Sequence, residues 1–206
     1  MTPTFAFPDT NTFLHYPPVD QMDWAALLQA DSVVLVITPV VIRELNKHKD
    51  FPRTSKMRER AAAALSRLHD WSEKATPIRS AVELKFRIDD PVVDFTVNNL
   101  SQNVEDDHFI ASVLEHRNEH PGHTHVIVTE DLGLKLKARN RGFFVFQLPA
   151  AKRLQDESLD SEKKINQLEA QLREMQNRIP VLSLAFPNRE NWTKVFVRAG
   201  CPRSRV

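Results

Sequence analysis

Val33 to Ile37 is an unbroken run of β-branched and aliphatic residues, the pattern of a strand buried on both faces. Thr38 then offers a cap and Pro39 suits a first helical turn, which predicts a helix over Val40 to His48. Upstream, Thr4-Phe5-Ala6-Phe7 reads as a short strand closed by Pro8, and Asp20 as the cap of a helix over Gln21 to Ala30. After Pro52, Thr54 opens a long helix that reaches Trp71. Glu105 to His116 carries Phe109, Ile110, Val113 and Leu114 as an apolar stripe at helical spacing. A strand over Thr124 to Thr129, a helix from Leu132 to Arg139 ending near Gly142, and a strand over Phe143 to Leu148 follow. Val82 to Arg87 and Pro91 to Phe95 look extended, without an assigned place. Short apolar strands alternating with helices predict an α/β fold, a parallel β-sheet flanked by helices.

Pro149 closes that pattern. Beyond it Ile165, Leu168, Leu172, Met175 and Ile179 repeat at alternating spacings of three and four, a heptad seam among Gln, Glu, Lys and Arg. Such a helix either packs on its own domain or serves self-association or partner docking, and the second is the expectation for residues 154–179. Pro180 stops it. Val181 to Phe186 and Trp192 to Val197 read as two short strands with a basic ending at Arg198, Arg203 and Arg205. The expected organisation is an α/β domain over 1–149, a helical arm over 150–180 and a basic β-like tail over 181–206.

Composition narrows the class. The 206 residues are 41% hydrophobic and 27% charged, ordinary for a chain with one sizeable core. A net charge of +1 makes no whole-chain case for nucleic acid or membrane. Cys201 is the only cysteine, which excludes an internal disulfide framework and a four-cysteine zinc site. The longest apolar stretch, Val33 to Ile42, falls short of the ~20 residues of a membrane helix. The amino terminus has no basic segment before its apolar residues, so no secretory signal is read there. The expected localisation is cytoplasmic. The charge is unevenly spread, however. Met1 to Ile42 holds Asp9, Asp20, Asp23 and Asp31 but no Lys or Arg. Arg43 to Arg60 then holds seven Lys or Arg against three acids.

In an open parallel sheet, ligands bind beyond the carboxyl ends of the strands. Asp9 follows the first strand, Asp131 follows Val128-Thr129, and Asp106-Asp107 opens the helix before that strand. Glu44 lies about 60° round the helical wheel from Val41 and so borders the buried stripe. Each acid alone has a plainer explanation as a turn residue, cap or surface ion pair. Together, carboxylates in one cleft repel one another unless a divalent cation sits among them, and an oxygen-only set suits Mg²⁺.

Phe7-Pro8-Asp9-Thr10-Asn11, Val41-Ile42-Arg43-Glu44-Leu45, Asp106-Asp107-His108-Phe109-Ile110-Ala111 and Val128-Thr129-Glu130-Asp131 resemble, in order, the motifs of PIN-domain nucleases. The resemblance covers roughly Thr4 to Pro149. It implies a metal-dependent endoribonuclease with Asp9, Glu44, Asp107 and Asp131 as catalytic residues. The same four, with Asp106 beside them, would hold Mg²⁺ or Mn²⁺. Thr10, Asn11 and Thr129 match supporting polar positions. The stretch between Glu44 and Asp106 is longer than in small toxin-type PIN domains, and the helical arm is additional.

The implied substrate is RNA, with single-stranded DNA as the alternative. Arg43, Lys47, Arg53, Lys56 and Arg58 are the candidate phosphate contacts, against a plainer reading as a solvated helical face. Three other functions compete. His116, His120, His123 and His125 suggest a zinc hydrolase, although Pro121-Gly122 breaks the helix between them. A PIN-like module could also bind RNA or a protein without cleaving, or act as a toxin under a partner's control.

Overall fold

The computed structural model describes residues 2–74, 77–155, 159–176, 181–183 and 196–198. It divides into two compact units, Met1–Asp156 and Glu157–Val206.

The first unit is built on five parallel strands: β1 (Thr4–Pro8), β2 (Val33–Ile37), β3 (Val82–Phe86), β4 (His125–Val128) and β5 (Phe144–Phe146). Their order across the sheet is β3-β2-β1-β4-β5. The α/β architecture with a helix-flanked parallel sheet is therefore as the alternation implied. Between the strands run α1 (Thr10–His15), α2 (Trp24–Leu28), α3 (Pro39–Asp50), α4 (Ser55–Ser72), α5 (Glu105–Glu119) and α6 (Leu132–Asn140).

All of β2 is buried because side chains alternate between two apolar layers. Val34 and Val36 join Phe5, Phe7, Val41, Leu45 and Ile110 on one face. Val33 and Leu35 join Ala6, Trp24 and Val128 on the other. The segment over Val82 to Arg87 is the edge strand beside β2, paired Val33 to Val82 through Ile37 to Phe86. Edge position explains its mixed pattern, with Val82 buried and Glu83 and Lys85 exposed. Pro91 to Phe95 forms no strand; it belongs to a loop that buries Phe95 in the core.

One predicted helix differs. Val19–Gln21 is a single 3₁₀ turn, and α2 starts only at Trp24, capped by Asp23 rather than Asp20. The Asp23 carboxylate accepts from the Ala26 N–H at 3.1 Å, a local bond that starts a new helix instead of continuing the first. Met22 and Trp24, 1% and 0% exposed, are both drawn into the core by this break. At the end of α6, Gly142 leaves the helix at φ 74°, a conformation that side-chain-bearing residues rarely adopt.

The first unit continues past Pro149. The Leu154 N–H donates to the His15 carbonyl at 2.8 Å, and Arg153 reaches Glu130 at 2.9 Å. The second unit contains α7 (Leu159–Gln176) and an antiparallel pair, β6 (Val181–Ser183) with β7 (Phe196–Arg198). Ile165, Leu168, Leu172 and Met175 of the heptad are all exposed on α7. Ile179, Arg203, Arg205 and the remainder of the two expected tail strands lie outside the described residues. Among the described residues, no helix is long and apolar enough to cross a membrane.

Candidate active site

Parallel strands bring all their carboxyl ends to one edge, and the acids gather there. β1 and β4 finish level, Pro8 opposite Val128, and the Asp9 N–H donates to the Val128 carbonyl at 3.0 Å. Asp9 caps α1: its Oδ1 accepts from the Thr12 N–H at 2.9 Å and the Thr12 hydroxyl at 3.0 Å. Its Oδ2 accepts from the Thr129 hydroxyl at 2.6 Å. Asp9 is only 5% exposed. Burial pushes its carboxyl up to about 6; the bonds from Thr129 and Thr12 oppose that shift, and the Glu44 charge adds to it.

Thr129 also accepts the Asp131 N–H at 3.0 Å, so one buried hydroxyl links two of the acids. Asp131 caps α6 by accepting the Leu134 N–H at 2.8 Å. A Cβ at Gly133 would lie 3.1 Å from Asp131 Oδ1, a tight approach that glycine avoids. Glu44 comes from α3 and accepts a short hydrogen bond from the Thr10 hydroxyl.

The acidic doublet separates into two roles. Adjacent helical residues point about 100° apart, and the two acids meet different surroundings. Asp106 lines it. Asp107 instead is 7% exposed and accepts from Lys137 Nζ at 2.7 Å and the Ser101 N–H at 2.8 Å. Burial alone would raise the Asp107 carboxyl, but these two donors hold it below its ordinary value. Burial raises the Asp106 carboxyl, and the charges of Asp131 and Asp107 add to it while Lys137, 3.7 Å away, opposes.

The result is a cleft of about 210 Å³. Asp9, Thr10, Asn11, Glu44, His48, Asp106 and Asp131 supply its polar lining, and Val40, Phe109 and Leu134 its apolar one. The acids line one cleft, yet among the described residues no three His, Cys, Asp or Glu form a group that could hold a metal as it stands. Four carboxylates with threonine and asparagine oxygens nonetheless make a hard donor set of the kind that suits Mg²⁺ or Mn²⁺.

Sequence reasoning passed over two residues. His48 stands one turn after Glu44 on α3, and burial lowers its imidazole from the ordinary value while Glu44 opposes. Lys137 stands one turn after Leu134 on α6, where it reaches both members of the doublet. Helical spacing from Glu44 and from Leu134 is the signal that could have found them. The basic block is divided. Arg43 is bound to Asp90 at 2.6 Å and Glu105 at 3.3 Å and so ties α3 to neighbouring segments. Lys47, Arg53 and Arg58 are exposed, and Lys56 is half-buried.

The histidines lie at the opposite end of the sheet. His116, His120, His123 and His125 surround Phe5 at ring-centroid distances of 4.5, 5.1, 5.3 and 5.4 Å. His125 Nδ1 donates to the His123 carbonyl, which leaves Nε2 to accept from His116 Nδ1 at 3.0 Å. His120 Nδ1 donates to the His116 carbonyl. These bonds engage both ring nitrogens of His125, and among the described residues the four do not form a metal-holding group.

A family model described as PIN domain matches residues 7–148. Among solved structures, one similar chain is a domain of a functionally unknown protein from Methanocaldococcus jannaschii DSM 2661. It is 14% identical, with the alignment covering 76% of this chain and 99% of that one at a TM-score of 0.46. No curated protein matches.

Proposed function

The chain belongs to the PIN-domain family, a family of nuclease type, and from that premise we propose that it is an Mg²⁺- or Mn²⁺-dependent endoribonuclease. The observation that carries the proposal is the convergence of Asp9, Glu44, Asp106 and Asp131, from four separate segments, on one cleft at the carboxyl edge of the sheet. These four would hold the ion, with Asp106 rather than Asp107 as the member contributed by α5. A bound divalent ion supplies an activated water and charge neutralisation at the scissile phosphodiester.

The chain's own residues prepare that site. Thr129 and Thr12 hold the Asp9 carboxylate in one orientation, and Thr10 does the same for Glu44. Lys137 binds the Asp107 carboxylate at 2.7 Å and lies 3.7 Å from Asp106. Val40, Phe109 and Leu134 give the cleft an apolar wall, which strengthens charge interactions within it. Incubation of labelled RNAs and DNAs with Mg²⁺, Mn²⁺ or EDTA tests the proposal. Cleavage of RNA that leaves 5′-phosphate ends and stops in EDTA supports it; intact RNA with either metal points instead to a non-cleaving binding module.

A further inference from the structure

An acidic cleft repels the phosphates of its own substrate, so grip must come from outside it. Val40, Glu44 and His48 line the cleft along one stripe of α3. At about 100° per residue, position 51 returns to within about 20° of Val40 and falls inside that stripe. The residue there is Phe51, the C-cap of α3, whose N–H still donates to the Lys47 carbonyl at 2.8 Å. Its backbone lies about 4.5 Å beyond His48 along the helix, at a rise of ~1.5 Å per residue. The ring is 82% exposed.

Lys47 and Arg53, both exposed, lie one turn before and two residues after Phe51 in the chain, and exposed Arg58 follows on α4. A single exposed aromatic needs no explanation of its own. A ring at the end of the α3 stripe that lines the acidic cleft, with exposed cations one turn before it and two residues after it in the chain, is a different matter. Resting on the nuclease reading, we infer that Phe51 is a stacking platform for an unpaired base of the nucleic acid entering the cleft. Lys47 and Arg53 hold the adjoining phosphates. Base faces in a duplex are already stacked, so the platform favours single strands.

The test measures anisotropy of a short fluorescein-labelled single-stranded RNA at low salt in EDTA, so that binding is read without cleavage. Phe51→Ala should weaken binding roughly 5- to 150-fold, the range for loss of one base stack. Phe51→Trp should restore it and Phe51→Leu should not, because stacking needs a π-face. Phe144→Ala is the control: that ring is 69% exposed but starts the edge strand β5, toward its amino end. Duplex RNA of the same sequence should respond to none of these changes. Unchanged binding by Phe51→Ala, or equal rescue by leucine, overturns the platform. Cleavage of the same RNA by the unaltered protein in Mn²⁺ is followed in parallel. Cleavage with unaffected Phe51→Ala binding removes the platform and leaves the nuclease reading standing. Weakened Phe51→Ala binding without cleavage supports the platform and removes the nuclease.

Discussion

Thr129 donates its hydroxyl proton to Asp9 across 2.6 Å, though the two residues are 120 positions apart in the chain. Both are buried, at 2% and 5% exposure, and the bond ties the end of β4 to the end of β1. Thr129→Val keeps the shape but removes the donor, leaving a buried carboxylate less satisfied. The expected cost is about 1–3 kcal/mol, measured by urea unfolding at neutral pH in EDTA. The same variant should lose cleavage activity, because Asp9 and Asp131 both take their orientation from that hydroxyl.

Asp9 also sets a pH dependence. Its carboxyl is raised from 3.8 to about 6, first by burial and further by Glu44. Between those values the folded protein keeps a proton that the unfolded chain has released. Stability in EDTA should therefore fall as pH rises from about 4 to about 6, by something of the order of 3 kcal/mol, and level off above. Asp9→Asn should abolish that slope and be the more stable protein at neutral pH, yet be inactive in the RNA assay. Unfolding curves collected across this pH range show the slope; a slope retained in Asp9→Asn would assign it elsewhere.

The neighbouring acids of α5 should separate in experiment. Asp106→Asn, like Glu44→Gln, should eliminate Mn²⁺-dependent cleavage with little change in stability, since its side chain lines the cleft. Asp107→Asn should weaken the bonds from Lys137 and Ser101 and destabilise the fold by about 1–3 kcal/mol. Parallel measurement of activity and urea midpoint distinguishes the two. Full activity in Asp106→Asn would return the doublet's functional role to Asp107.

At the other end of the sheet, burial first and then His120 and His125 lower the His116 imidazole to about 3, and burial lowers His125 as well. Below pH 6.5 the unfolded chain takes up protons that these folded histidines refuse. Stability from this source is complete above pH 6.5 and is lost as pH falls toward 3, the opposite sign to Asp9. His116→Gln, compared in an Asp9→Asn background, should show a shallower acid loss in a melting-temperature series. An unchanged acid limb would mean that the histidine cluster does not drive it.

The exposed stripe Ile165, Leu168, Leu172 and Met175 on α7 is expected to support self-association. Light scattering of the full chain should give a mass above one protomer that falls in Leu168→Glu/Leu172→Glu. A monomer before and after the change would end that expectation.

Patterns carried by local chemistry were legible in the chain. The unbroken Val33–Ile37 run announced a strand buried on both faces, and caps at Thr54 and Asp131 marked helix starts, because these depend on neighbours a few residues away. The ordered acids marked the family for the same reason: each lies at the end of a recognisable element. Val82–Phe86 could not be placed, since an edge strand is defined by its partner, here β2, and its own alternation is weak. The different surroundings of Asp106 and Asp107 were equally beyond the pattern, because Lys137 and Ser101 reach Asp107 only once α6 and the preceding loop have packed against α5. Arg43 read as a free cation until folding set Asp90 and Glu105 beside it. Local spacing governs what a short segment becomes; which atoms compete for a given side chain depends on residues 30 to 62 positions away, and only packing brings those within bonding distance.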